Sequence, residues 1–221
     1  MQFKTLFLTL IPAAMAHFHL TYPLWRADSL ALATNNQSIS QWFYPCAGIG
    51  QETSANNRTA WPLDGGSVVW NSSHPDALTT INLGLGAAVT TFNISLIPMY
   101  NETGAGQTCL SKVGQSKLSP LNITDGTQAS IQVITISSTG AALYNCADIV
   151  FRKNATVLDS GSCKNDTGVS GSAIVNANAG NSSEGSGSSG NSTTKGSGAI
   201  KGSVPVAALF AAVGAGMYAS L

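Results

Sequence analysis

Five short segments rich in Val, Ile, Thr and aromatic residues restrict what this chain can fold into. They lie at residues 67–70, 79–83, 90–97, 131–136 and 143–151. Each is bounded by Gly, Asn or Pro, which is typical of β-strands separated by turns. Only short helical stretches fit between them, such as residues 25–32. The pattern predicts a mainly β fold, an antiparallel immunoglobulin- or fibronectin-like β-sandwich.

The segment 91–96 shows the strand alternation most clearly. Phe92, Ile94 and Leu96 fall on one face, and Asn93 falls on the other. We therefore expect one face of the sheet to pack against the core and the other to contact solvent.

The first sixteen residues read as a secretory signal peptide. An apolar run at residues 6–11 follows Lys4, and the segment ends in the small-residue pattern Ala14-Met15-Ala16. Spanning a membrane needs about 20 apolar residues, far more than are present. Cleavage after Ala16 would make His17 the first residue of the mature protein.

The other end of the chain has the pattern of a GPI attachment signal. Residues 204–221 carry no charge and follow the polar stretch 166–203. We expect attachment near Ser189, Gly190 or Asn191, with Asn191 preferred. A C-terminal transmembrane helix is the alternative, but Lys or Arg usually follows such a span. The expected location is the outer face of the plasma membrane or the cell wall.

The stretch 166–203 is dominated by Gly, Ser, Asn and Thr and predicts a flexible stalk. Such a composition buries too little apolar area to offset the entropy of ordering the chain. Residues 17–165 are therefore the predicted folded domain.

Charge argues against a nucleic-acid partner. The chain has ten basic and ten acidic residues, and processing would remove Lys4, Lys195 and Lys201, leaving seven basic against ten acidic residues. No basic patch is present to contact phosphates.

Four cysteines, Cys46, Cys109, Cys146 and Cys163, indicate two disulfides in an oxidising compartment. Three pairings can be drawn, and we expect Cys46 with Cys146 and Cys109 with Cys163. No C-x-x-C spacing occurs, which argues against a structural zinc site.

N-glycosylation sequons are unusually dense in this chain. Each can carry a glycan only where it is exposed, and we expect glycans on the sequons of the domain. The asparagines in the domain are Asn36, Asn57, Asn71, Asn93, Asn101, Asn122, Asn154 and Asn165, and Asn181 and Asn191 lie in the stalk. Such a coat leaves little bare surface for a large protein partner.

The three histidines, His17, His19 and His74, point to a metal. An N-terminal His17 offers its free amine and its ring Nδ1 to one ion, and a second imidazole completes a T-shaped set that suits Cu(II). We expect that imidazole to be His74, in the turn-rich loop 71–76, although an ordinary exposed histidine is the alternative. The amine, with a reference pKa of about 7.7–8.0, must lose a proton to bind, so affinity should fall with pH.

The role of His19 stays open. It lies on the same side of an extended strand as His17. It either wraps Cu(II) together with the amine through backbone amide nitrogens or has a structural role near the site. Amides that pair with a neighbouring strand would prevent the wrap.

Asp148 is an acid among core residues, because Cys146, Asp148 and Val150 share one face of the segment 144–151. A buried carboxylate is costly unless it is paired or binds a metal. Asp148 is therefore either a metal ligand or a satisfied structural acid.

Three motifs together resemble the fungal copper-acquisition-factor proteins, which are GPI-anchored, histidine-brace relatives of lytic polysaccharide monooxygenases. The motifs are His-Phe-His-Leu-Thr-Tyr-Pro at 17–23, Tyr-Pro-Cys-Ala-Gly at 44–48 and Cys-Ala-Asp-Ile at 146–149. The resemblance implies one Cu(II) per chain, bound by a brace of His17 and His74 with Asp148 as a further ligand. It also implies copper uptake at the cell surface, with a membrane transporter or reductase as the recipient, and no polysaccharide cleavage.

Two other functions compete with copper acquisition. A copper monooxygenase acting on glucan or chitin would need a flat aromatic face, and we expect most of the four tryptophans, Trp25, Trp42, Trp61 and Trp70, to be buried instead. A structural cell-wall glycoprotein would leave the placement of His17 and His74 to coincidence. A hydrolase is disfavoured because no G-x-S-x-G motif is present.

Overall fold

The computed structural model describes residues 17–51, 58–138 and 140–174. The strands in these ranges are β1 (Phe18–Tyr22), β2 (Thr59–Pro62), β3 (Gly66–Ser72), β4 (Asp76–Leu85), β5 (Ile94–Thr103), β6 (Gly106–Val113), β7 (Gln128–Ser137), β8 (Ala142–Arg152) and β9 (Ser170–Ala173). The helices are α1 (Ser29–Ala33), α2 (Gln115–Leu118) and a 3-10 turn at Ser119–Leu121. None of these helices has the length and apolar character to cross a membrane. The predicted signal peptide, the hydrophobic tail, most of the stalk, and Asn57, Asn181 and Asn191 lie outside the described residues.

The strands form two sheets. The smaller has the order β1-β3-β6, and the larger has the order β2-β8-β7-β4-β5-β9. Every neighbouring pair is antiparallel except β2 with β8. The predicted mainly β, antiparallel sandwich is confirmed.

Apolar side chains of both sheets meet in one core. The small sheet contributes Phe18, Leu20, Val68 and Trp70, and the large sheet contributes residues such as Ile81, Leu83, Ile131, Ile149 and Phe151. In β1, Phe18 and Leu20 are buried while His19 and Thr21 are exposed. This alternation fixes which face of β1 carries the histidines.

All five predicted strands are present, and one is shifted. The segment predicted at 90–97 is a strand only from Ile94, and it continues to Thr103. Pro98 lies inside it, where the register with β4 slips between Thr79 and Ile81. A bulge tolerates proline because no ladder hydrogen bond is needed from its nitrogen.

The folded domain extends past the predicted boundary at residue 165. Strand β9 reads Ser-Gly-Ser-Ala, and it pairs with the edge of β5, with Ala173 opposite Tyr100. Its side chains are exposed, so β9 is attached through main-chain hydrogen bonds to β5. The amino-acid composition of a segment does not indicate such pairing.

The disulfides join Cys46 to Cys146 and Cys109 to Cys163, as expected from the sequence. The first ties the loop before β2 to β8 across a separation of 100 residues. Closing a loop of this length removes about 4–5 kcal/mol of chain entropy from the unfolded state.

The sequon asparagines that the structure describes are all exposed, as glycan attachment requires. They are Asn36, Asn71, Asn93, Asn101, Asn122, Asn154 and Asn165. Attachment itself stays a prediction.

Glu102 is an acid buried inside the sandwich. Glu102 of β5 is 0% exposed, and its Oε2 accepts hydrogen bonds from Trp70 Nε1 at 2.8 Å and Thr79 Oγ1 at 3.4 Å. Its other oxygen, Oε1, is buried with no hydrogen-bond partner among the described residues. Burial raises the pKa of Glu102 above its ordinary value.

Replacing Glu102 with Gln should therefore change how stability depends on pH. Because its pKa is raised in the folded state, the wild type loses stability as pH rises from about 4.3, the ordinary pKa of glutamate, through the folded-state pKa. We expect Glu102→Gln not to show this loss, so its stability relative to the wild type should increase as pH rises. Urea unfolding from pH 3.5 to 7.5 measures the difference in the free energy of unfolding. A difference that does not vary with pH would contradict a raised pKa for Glu102.

Candidate metal centre

The pairing of β1 with β3 brings His17 beside the loop that carries His74. Phe18 lies opposite Ser72, and the ladder continues for one more residue. Ser73 donates to the His17 carbonyl oxygen from its N at 3.1 Å and from its Oγ at 2.8 Å. His17 N, the nitrogen that signal cleavage would convert to an amine, donates to Ser73 Oγ at 3.0 Å. The main chain of His17 is thus held at the residue that precedes His74.

His74 is fixed by the turn between β3 and β4. Its N donates to Ser72 Oγ at 3.2 Å, and the following Pro75 carbonyl accepts from Gly104 N at 2.6 Å. Its Nε2 is buried and has no hydrogen-bond partner among the described residues. Leaving a buried polar atom unpaired costs about 1–3 kcal/mol, and binding a metal would remove that cost. His17 Nδ1 is also buried, so the donor set fits a copper ion.

A buried polar cluster clamps the residue that follows His17. Gln41 accepts from Phe18 N at 3.2 Å and donates to Phe18 O at 2.7 Å and to Ser29 Oγ at 2.9 Å. Asn145 of β8 closes the cluster, since its Nδ2 donates to Phe18 O at 3.2 Å and its Oδ1 accepts from Ser29 Oγ at 3.1 Å. These side chains are at most 2% exposed. Helix α1, the loop before β2, and β8 together hold the start of β1.

This clamp also bears on how copper could bind. A wrap through backbone amides needs the Phe18 nitrogen, but its N–H donates to Gln41. His19 lies in the β1–β3 ladder opposite Asn71. These contacts argue against Cu(II) binding through backbone amide nitrogens. His19 would therefore have to contact a metal through its side chain.

The side chain of His19 lies on the outer, exposed face of β1. Its ring is tilted by 46° against Trp25, with ring centroids 5.1 Å apart. His17 and His19 line one open cavity of about 540 Å³. Asn71, Ser73, Leu30 and Ala33 also line it.

Asp148 lies in a buried ion pair. Its side chain is 4% exposed, and Oδ1 accepts from Arg26 Nε at 3.2 Å, from Arg26 Nη2 at 3.1 Å and from Ser130 Oγ at 2.5 Å. Arg26 is anchored in turn, since its Nη1 donates to the Ile49 carbonyl at 3.2 Å. Of the two roles that the sequence left open, these contacts favour the structural one.

Asp148 is not grouped with the two histidines. Among the described residues, no three His, Cys, Asp or Glu side chains lie together as a metal-binding group. The residue of β8 that contacts the start of β1 is Asn145, three positions earlier. Copper ligation by Asp148, which the resemblance implies, is untested, and the Asp148→Asn variant below distinguishes it from the structural role.

The tryptophans are divided between the core and the surface. Trp61 and Trp70 are fully buried as expected, and Trp25 is partly buried, but Trp42 is 49% exposed. Phe43 and Tyr44 beside it are also exposed, and Tyr44 meets Tyr144 edge-on with ring centroids 5.5 Å apart. Residues 42–44 therefore form an exposed aromatic segment that continues from Gln41.

Comparison with known proteins identifies the family. Residues 15–168 match the family described as copper acquisition factor BIM1-like. The chain belongs to this family. The matched region spans the histidines, both disulfides and the Arg26–Asp148 pair of this BIM1-like protein.

Curated fungal relatives of this BIM1-like protein are described as lytic polysaccharide monooxygenase-like. The X325 protein of Yarrowia lipolytica is 35% identical over 206 residues, which cover 87% of this chain and 70% of the relative. The X325 protein of Aspergillus fumigatus is 35% identical over 173 residues, or 65% of this chain and 70% of the relative. A protein of Emericella nidulans is 32% identical over 191 residues, which cover 72% of this chain and 76% of the relative.

Gln41→Ala should loosen the start of β1. The substitution leaves the buried Phe18 amide without its acceptor, which should lower the free energy of unfolding by about 1–3 kcal/mol. Urea denaturation measures this change. Ser40→Ala is the matched control, because the contact that Ser40 Oγ makes in the described part of the chain is a long one of 3.4 Å from Trp42 N, and we expect a change within about 0.5 kcal/mol. Equal losses in both variants would show that Gln41 has no special role.

Asp148→Asn should destabilise the fold by about 3–5 kcal/mol, because it leaves the buried Arg26 charge without its partner. We expect the bound copper signal of the folded variant to match the wild type. Asp125→Asn, which breaks an exposed pair with Arg152 of 3.4 Å, is the control and should change stability little. Unchanged stability together with a lost copper signal would instead identify Asp148 as a ligand.

Proposed function

We propose that this protein captures Cu(II) outside the cell, with His17 and His74 as its ligands. The amine and Nδ1 of His17 and Nε2 of His74 supply three nitrogens. The observation that carries the proposal is the buried Nε2 of His74, which has no hydrogen-bond partner among the described residues, beside a His17 whose main chain is held by Ser73. Membership of a family described as copper acquisition factor supports the choice of metal.

The donor set explains the preference for copper. Imidazole and amine nitrogens suit Cu(II), which ranks above zinc and the earlier divalent metals of the first transition row in affinity for such ligands. Because the amine must lose its proton on binding, affinity falls as pH drops below the pKa of the amine.

The biological role we propose is copper acquisition at the cell surface. The predicted signal peptide, the Gly/Ser-rich stalk and the GPI attachment near Asn191 would tether the domain outside the plasma membrane. A tethered domain can capture copper and pass it to a membrane transporter or reductase. Glycans on the exposed sequon asparagines would cover much of its remaining surface.

A second candidate function is polysaccharide oxidation, which the exposed aromatic segment 42–44 favours. Aromatic faces next to a copper ion could lie against a glucan or chitin chain. The test is incubation of the copper-loaded domain with ascorbate and each polysaccharide, followed by analysis of soluble oxidised sugars. Product that requires both copper and Trp42 would support this function over copper capture alone.

An extra alanine before His17 should abolish tight copper binding. The extension converts the amine into an amide and should weaken Cu(II) affinity by more than about 100-fold, since loss of even a supporting contact costs 10–100-fold. His74→Ala should also weaken binding by removing the third nitrogen. Electron paramagnetic resonance of the secreted domain, titrated with Cu(II), reports the axial signal and its nitrogen splitting.

The control is the native domain, with its first residue verified as His17 by mass spectrometry. Circular dichroism must be the same for all three proteins, so that lost binding is not lost folding. The same signal in native and extended domains would refute the proposal.

A further inference from the structure

His19 and His17 line the same open cavity. His19 lies on the outer face of β1, because Phe18 and Leu20 on either side of it are buried in the core, and His17 is the residue immediately before β1. Positions two apart on a strand are separated by about 6.6 Å, given a rise of about 3.3 Å per residue. Two imidazoles projecting from such positions can contact one ion between them.

The surroundings of His19 keep its ring oriented and accessible. The tilted contact with Trp25 limits the ring on one side, and the residue remains exposed. The cavity that it shares with His17 has a volume of about 540 Å³, whereas a water molecule occupies about 30 Å³. The cavity therefore has room for copper together with an incoming chelator of amino-acid size.

The cavity distinguishes the two candidate partners of His17. Among the described residues that line it are His17 and His19, but not His74. His74 instead lies in the turn beyond β3, with its Nε2 buried. Copper bound to His17 thus has a buried imidazole on one side and an open one on the other.

We propose that His19 is an alternative third ligand through which copper is exchanged. This inference rests on the proposed function. Copper stays chelated by the amine and Nδ1 of His17 while its bond to His74 Nε2 breaks and a bond to a His19 ring nitrogen forms. The metal remains Cu(II), and no electron is transferred. In the His19-bound state copper faces the open cavity, where a chelator with nitrogen or oxygen donors can take it or deliver it.

The test is the rate of copper transfer from the loaded domain to free histidine, followed by the loss of the protein signal in freeze-quenched electron paramagnetic resonance samples. All samples are matched for bound copper before mixing, and His19→Gln should slow transfer at least tenfold. Thr21→Ser is the matched control on the same exposed face of β1 and should transfer copper at the wild-type rate. Equal rates in the wild type and His19→Gln would overturn the proposal.

A double variant gives an independent readout. His74→Ala should retain a weaker copper signal with nitrogen splitting from His19, and His74→Ala/His19→Gln should lose it. Identical signals in these two variants would also overturn the proposal. Failure of the proposed function has a different signature, because the alanine-extended domain would then bind copper as the native domain does.

Discussion

The attachment of the N-terminal segment to β8 is the constraint on which the metal centre depends. Strand β8 lies between β2 and β7 in the large sheet, so its position is fixed from both sides. Four consecutive residues of β8 each hold a different point of the segment 17–46, through a hydrogen bond, a disulfide, a β-bridge and an ion pair. The pairs are Asn145 with Phe18, Cys146 with Cys46, Ala147 with Trp25 and Asp148 with Arg26. A free chain terminus would ordinarily fray, and these contacts keep its first strand in register.

Register places His17 next to the loop of His74, as the proposed copper site requires. Pairing of Phe18 with Ser72 sets His17 against Ser73, and the chain turns immediately afterwards with His74 in the turn. A slip of one residue would move His17 to the core face and bury its ring among apolar side chains. The buried clamp of Gln41, Ser29 and Asn145 opposes such a slip, because its hydrogen bonds are made to the main chain of Phe18 in one register only.

The sequence predicted the sandwich because strand alternation and turn residues are local signals, and it predicted the disulfide pairing. It could not predict β9, whose small residues contribute main-chain pairing alone, or Gln41, since an isolated glutamine in a polar loop carries no motif. The sequence predicts that Asp148 is a buried acid, but its partner Arg26 lies 122 positions away. This ion pair favours the structural role over a metal ligand, and the pattern within one strand does not contain such a long-range contact.

The most direct test is a crystal structure of the domain, beginning at His17, with Cu(II) bound. We expect one copper ion held by the His17 amine, His17 Nδ1 and His74 Nε2, with the Arg26–Asp148 ion pair intact. Copper bound elsewhere, or bound without the amine of His17, would contradict the proposed site.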